Sequence, residues 1–497
     1  MRTSGILMHI TSLPSPYGIG TMGAAAREFV DFLRAAGQTY WQILPICPTG
    51  FGDSPYQTFS SFAGNPYLID FDDLQDAGLL RHSEVDHLEW GTQPLSVDYG
   101  LLYCQRFQVL RLACQRLLAG HHSAYDMWCS ENAYWLEDYA LFMALKDRHG
   151  GASWQEWEAT LRHRVPTALA EVQEALSSEI TFWKAVQYLF FYQWNALKMY
   201  ANRRAVHIIG DLPIYVSADS AEVWADPNQF QLDQDLLPTE VAGCPPDGFS
   251  VSGQLWGNPL YNWRRMGEDN YAWWIRRIKY LCDIYDVLRI DHFRGVDSYY
   301  AIPFGAVDAR NGRWRQGPGI KLFTAVKEAL GERQIIAEDL GFLTPSVHAL
   351  REETGFPGME VLEFAFDSRD SSGSAYLPHN YREHCVAYIG THDNDTALGW
   401  LKSVPPDDAA YAASYLRLND PDGANWGMMR ALWASTAGCT IVQMQDILGL
   451  GSEARMNMPS TVGRNWKWRA ACGFDTLALA AKLRREMDLY CRLPGHT

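Results

Sequence analysis

The sequence predicts an α/β fold: a (β/α)8 barrel, with large insertions between strands 2 and 3 and between strands 3 and 4. Three observations carry that prediction. Short apolar runs, of the kind that form strands buried on both faces, recur along the 497 residues and mostly alternate with helical periodicity. Several of these runs end in an acidic residue, which is where parallel barrels keep their chemistry. No glycine-rich phosphate turn follows the first strand, as it often does in a doubly wound sheet.

Taken in order, Ser4 to Ile10 reads as the first strand. Met22 to Ala36 follows as an amphipathic helix, with Phe29, Phe32 and Leu33 on one face and Gly37 placed to stop it. Tyr40 to Ile46 is the second strand. The turn-rich stretch from Pro48 to Gln57 suits either a substrate-contacting loop at the barrel mouth or a plain surface loop. From 67 to 203 apolar residues recur at helical spacing, as in Tyr103 to Leu118, Ala133 to Arg148 and Ile180 to Tyr200. That gap is too long for a structureless connection, so an inserted helical subdomain is expected.

Val206 to Ile214 is the third strand, with Asp211 ending its apolar run. The second insertion, 215 to 280, is punctuated by Pro and Gly and is expected to be loop-rich, an irregular backbone arching over the mouth. Strands four to eight are Val287 to Ile290, Ile335 to Glu338, Val361 to Phe366, Val386 to Ile389 and Thr440 to Gln445. Lys321 to Leu330 forms a helix that Gly331 ends, and Leu477 to Tyr490 forms the last one. In between, Thr344 is placed to N-cap a helix that Pro345 opens and Gly355 closes. Residues 1–497 are thus read as one catalytic barrel carrying two inserted subdomains.

Composition narrows the partners. A formal net charge of −16 leaves no basic footprint for nucleic acid or an anionic membrane surface. Aromatics make up 13% of the chain, enough to pack cores and also to offer flat faces to sugars. The N-terminal apolar run is too short for a secretory signal, and no segment approaches the length of a membrane span. The ten cysteines are scattered without CxxC spacing, and no Cys/His cluster has zinc-ligand spacing. Reduced thiols, no metal site and a cytoplasmic location are the expectation.

The chemistry centres on Asp286-Val287-Leu288-Arg289-Ile290-Asp291-His292-Phe293-Arg294-Gly295, where Arg289 and Asp291, two apart, share a strand face. Glu338 and Asp393 end two later apolar runs. Any one of these acids also suits a helix N-cap; three in one register point to a site. Facing carboxylates suit a hard cation, but Arg289 would compete with it. What Arg289 does suit is holding Asp291 ionised, whereas the apolar neighbours Ala337 and Leu340 favour a protonated Glu338. One ionised and one protonated carboxyl, about 5 to 5.5 Å apart, is what glycosyl transfer with retention needs.

These motifs, with Ile336-Ala337-Glu338-Asp339-Leu340-Gly341 and Gly390-Thr391-His392-Asp393-Asn394, resemble the catalytic motifs of the amylomaltases. These are the 4-α-glucanotransferases, or disproportionating enzymes, related to the α-amylase clan. The resemblance runs from Ser4-Gly5-Ile6-Leu7-Met8-His9-Ile10 through Asp53-Ser54-Pro55-Tyr56-Gln57 and Gln254-Leu255-Trp256-Gly257-Asn258-Pro259 to Gly449-Leu450-Gly451-Ser452-Glu453-Ala454-Arg455-Met456-Asn457. It implies Asp291 as nucleophile, Glu338 as general acid/base and Asp393 as the stabiliser that grips the donor sugar. Arg289 and His392 would support them, and Asp211, Trp256 and Asn457 would line the donor pocket, with Tyr56 beside it. Trp256 and Asn258 suit sugar contacts, although Trp256 suits packing equally. The implied donors and acceptors are maltooligosaccharides and α-1,4-glucans, with glucose also an acceptor, and no cofactor is needed. The same carboxylates would serve an α-glucan hydrolase, and a barrel of this kind could also bind glucan without catalysis. The chain resembles the short bacterial form. Gly248 stands where some relatives have a bulky side chain, which bears on acceptor contacts.

Overall fold

Eight short strands, covered outside by helices and inside by one another's side chains, form a nearly closed parallel barrel in the computed structural model, which describes residues 2–120, 123–246, 250–341, 343–368, 373–419 and 421–495. In chain order the strands are β1 (Thr3–Leu7), β2 (Tyr40–Gln42), β3 (His207–Leu212), β4 (Glu240–Cys244), β5 (Gln254–Pro259), β6 (Val287–Ile290), β7 (Ser298–Pro303), β8 (Arg313–Gln316), β9 (Ile335–Ala337), β10 (Gly358–Val361), β11 (Cys385–Tyr388) and β12 (Cys439–Gln443). The barrel runs β10-β11-β12-β1-β2-β3-β6-β9. Its seam, between β9 and β10, is bridged where Ala337 N donates to Pro357 O at 2.9 Å. All eight barrel strands lie at or next to the predicted positions.

Local sequence explains the elements around the barrel. The helix Ala24–Ala35 buries Ala26, Phe29, Val30, Phe32 and Leu33 on one face and stops before Gly37, whose φ of +73° costs a glycine little. Thr476 accepts a hydrogen bond from Leu479 N and so caps the last helix, Leu477–Leu489. Between β2 and β3 the chain is helical, its longest helix being Ser177–Arg203. Trp194 on that helix is buried and donates to Ile284 O at 3.2 Å, which ties these helices to the barrel wall.

Three details differ from expectation. The sixth strand ends at Val361, and Leu362–Phe366 coil into a buried 3-10 turn, because an apolar run fits either shape. The stretch from 215 to 280 is more regular than expected. It supplies β4 and β5 to an antiparallel sheet, β5-β4-β7-β8, whose other two strands follow β6. Glu240 on β4 reaches across β7 to pair with both Arg313 and Arg315 on β8. Thr344 does not cap its helix; its hydroxyl lies 2.9 Å from Ser346 Oγ instead. Gly248 lies outside the described residues.

Candidate active site

The strand ends bring most of the expected residues together. On β3 and β6, paired in register, Arg289 stands beside Asp211, and its Nη1 donates to Asp211 Oδ1 at 2.8 Å and Oδ2 at 2.6 Å. The same nitrogen donates to Asp291 Oδ1 at 3.0 Å, and Tyr56 OH donates to Asp211 Oδ2 at 2.7 Å. Tyr56, Asp211, Arg289 and Asp291 are therefore one connected chain of hydrogen bonds. A single guanidinium holds two carboxylates, one of them deeply buried. Arg289→Met would leave both without their cation, at an expected cost of about 3–5 kcal/mol in stability. The urea midpoint reads this directly, and an unchanged midpoint would contradict it.

Glu338 follows β9, next to β6 in the barrel, so it faces Asp291 across adjacent strands. Its Oε1 accepts from Leu340 N at 2.9 Å and its Oε2 from His292 N at 2.5 Å. His292 sits at φ +48°, a conformation unusual for a residue with a side chain, and this aims its N–H at Glu338. The next acid, Asp339, points the other way, as alternation along an extended chain requires, and binds Arg351 at 2.6 Å.

Burial raises the pKa of both carboxyls, against the pull of Arg289: Asp291 to about 7 and Glu338 to about 8. The expectation that Arg289 holds Asp291 ionised is thus corrected in part: the guanidinium does lower the Asp291 pKa, but desolvation outweighs it. The order of the two survives. Asp291 touches Arg289 and is partly open to the mouth, while Glu338 is buried. Of the two, Glu338 therefore holds a proton the longer. Below about pH 4 Glu338 is protonated folded or unfolded. Between there and about pH 8 only the folded form keeps that proton, so stability falls as pH rises through this window. Glu338→Gln should flatten the fall, seen as a smaller drop in Tm between pH 5 and pH 9.

After β11 the chain turns, and Asp393 faces the opening with 45% of its side chain exposed. Asn457 Nδ2 donates to Asp393 Oδ1 at 2.6 Å, and His392 Nε2 lies 3.5 Å from the same oxygen. The His392 ring stacks on Tyr56, centroids 5.2 Å apart, which joins this half of the site to the Asp211 half. Trp256 meets the ring of His292 edge-on at 4.8 Å. Asn258 is buried, and its amide is used within the protein: it donates to Val216 O at 2.9 Å and accepts from Gln57 Nε2 at 3.2 Å. Among the described residues no group of three His, Cys, Asp or Glu could hold a metal ion.

Sequence reasoning missed three contributors. Arg455 donates to the backbone oxygens of Asp393 and Asn457, holding that rim. Trp466 packs against both Tyr56 and His392. His9, which burial pushes down to about 3, accepts from Leu44 N at 3.2 Å and lines a cavity of about 10 Å3 with His392. Arg455 and His9 lay within quoted motifs but had no local signal of a role; Trp466 had none at all.

Strand ends that converge carboxylates and aromatic rings in this way define a barrel enzyme of the carbohydrate-active kind. A sequence model described as 4-alpha-glucanotransferase matches residues 8–474. The 4-alpha-glucanotransferase of Clostridium butyricum is 46% identical over 98% of this chain and 100% of its own length. That of Thermus thermophilus is 46% identical over 99% of both chains. The amylomaltase from Streptococcus agalactiae, solved in complex with acarbose, superposes with a TM-score of 0.96 at 44% identity, covering 99% of this chain and 100% of that one. The chain belongs to the 4-alpha-glucanotransferase family.

Proposed function

We infer that the chain is a 4-alpha-glucanotransferase that moves α-1,4-glucan segments between maltooligosaccharides, with glucose as a further acceptor, through a covalent glycosyl-aspartate and net retention. The observation that carries this reading is the asymmetry of the two facing carboxyls: Arg289 engages Asp291 Oδ1, while backbone N–H groups hold Glu338. Asp291 Oδ2 forms the bond to the anomeric carbon as the bond to the departing 4-oxygen breaks, and Glu338 gives its proton to that oxygen. In the second half the acceptor's 4-hydroxyl gives its proton to Glu338 and attacks the same carbon, releasing Asp291. Asp393, oriented by Asn457, accepts hydrogen bonds from the donor sugar. The steps need no cofactor or metal.

Transfer rather than hydrolysis follows if an acceptor sugar outcompetes water. The inserted units at 67–203 and 215–280 and the partly open rings of Tyr56 and Trp256 supply apolar faces at the mouth that suit a sugar better than water. Incubation with maltotriose tests this: glucose with a ladder of longer oligomers is the expected result. Shortened products alone would make the chain a hydrolase, and no turnover with retained binding would make it a glucan-binding barrel. We place the protein in the cytoplasm, a reading supported by its ten cysteines, none of them in a disulfide.

A further inference from the structure

Beneath the turn that carries His392 and Asp393 lies a second group of carboxyls. Glu363, in the 3-10 turn after β10, is 1% exposed, and Asp446 and Asp395 are also buried. Their bonds run upward into the site's framework. The Glu363 carboxyl is hydrogen-bonded to the Asn394 side chain, whose Oδ1 accepts from Thr391 N at 2.9 Å and Thr391 Oγ1 at 3.0 Å. Thr391 Oγ1 in turn accepts from Asp393 N at 3.3 Å. A continuous chain thus leads from Glu363 through Asn394 and Thr391 to the backbone of Asp393. Gly390, two residues past the end of β11, makes room for it, because a Cβ there would stand 3.0 Å from Glu363 Oε1 and 2.8 Å from Asn394 Cβ. Asp395 is occupied by Ser452 and Thr396 N, and Asp446 Oδ1 by Ala397 N. Glu363 Oε1 and Asp446 Oδ2 are buried without a partner.

We propose that Glu363 is a positioning residue for glucan transfer, which through Asn394 and Thr391 holds the 390–394 turn so that Asp393 and His392 stay over the donor sugar. It rests on the reading of Asp393 as the group that grips that sugar. Glu363 acts as a neutral acid. Two other carboxyls face it, Asp446 and Asp395, and Arg455 is the cation that opposes them. Burial, with those two acids adding, pushes Glu363 well above the carboxylate range, and Asp446 is pushed up to about 7. A charged Glu363 would repel Asp446 and Asp395 from below the turn, whereas an uncharged one avoids that repulsion and still accepts from Asn394.

The test compares Glu363→Ala, Glu363→Gln, Asp393→Asn and the Glu363→Ala/Asp393→Asn double variant in maltotriose transfer, each first checked for a cooperative thermal melt. Glu363→Ala should lower kcat/KM roughly 10- to 100-fold, as displacing a positioned group by about 1 Å does. Glu363→Gln, the shape of the neutral acid, should stay within about threefold of wild type, and in the double variant the two losses should fall well short of multiplying. Full activity in a folded Glu363→Ala, a glutamine variant as poor as the alanine, or losses that multiply in full would each overturn the proposal. Wild-type transfer by Asp393→Asn would overturn the reading of Asp393, and the proposal with it. Should Glu363→Ala not fold, Asn394→Ala cuts the same link from its other end, and the same comparison with Asp393→Asn decides.

Discussion

Asp291→Asn is expected to lower kcat for maltotriose by roughly 10⁴-fold or more, the scale on which removing a covalent nucleophile acts. An amide oxygen is too weak a nucleophile to open the glycosidic bond, and no other carboxylate bonded to Arg289 can replace it. Asp211, the guanidinium's other partner, is buried and held by two bonds of 2.8 and 2.6 Å. Because those bonds do not involve Asp291, the pocket should keep its shape and maltotetraose should bind nearly as before. The variant should also lose none of its stability at pH 8, since a partly desolvated carboxyl raised to about 7 is charged there at a cost that asparagine avoids. Isothermal titration and stopped assays separate the two claims. Weakened binding in proportion to lost activity would show that Asp291 holds the pocket together rather than attacking.

Glu338→Gln is expected to lower transfer between glucans by about 10²- to 10⁴-fold, the range for a general acid. The departing sugar oxygen cannot leave as an alkoxide without a proton. Fluoride can, so an α-glucosyl fluoride donor should form the intermediate at a rate far closer to wild type. Glutamine keeps an oxygen for one of the two backbone donors, Leu340 N and His292 N, and its amide nitrogen then faces the other. Some local adjustment of the left-handed His292 is therefore expected, and the contrast between the two donors, rather than either rate alone, is the informative quantity. Equal losses on both would remove Glu338 from the role of acid.

How far the molecule could be read beforehand follows from which signals are local. The barrel strands are apolar runs of three to six residues buried on both faces, a pattern visible without any tertiary knowledge. β8, Arg313-Trp314-Arg315-Gln316, is charged and largely exposed, so nothing in it signals a strand until β7 lies beside it. Val361 to Phe366 misled for the opposite reason: a buried 3-10 turn is as apolar as a strand. In the site, Asp211, Asp291 and Glu338 were legible because each ends an apolar run. Asp393 was legible in the same way, although its role came from family resemblance. The bond from Tyr56 to Asp211 spans 155 residues of sequence and could be anticipated only through that resemblance. The ionisation of Asp291 was misjudged because neighbouring charges show in a sequence while the depth of a pocket does not. Glu363 was hidden altogether, as an acid inside an expected strand.

The central claim is that Asp291 becomes covalently joined to the donor sugar. It is tested most directly by mixing Glu338→Gln with an α-maltotriosyl fluoride, quenching in acid and mapping the adduct by peptide mass spectrometry. The account predicts one added maltotriosyl group, on the peptide carrying Asp291 and lost in Asp291→Asn. An adduct on another residue, or turnover of the fluoride with inversion and no adduct at any time, would contradict it.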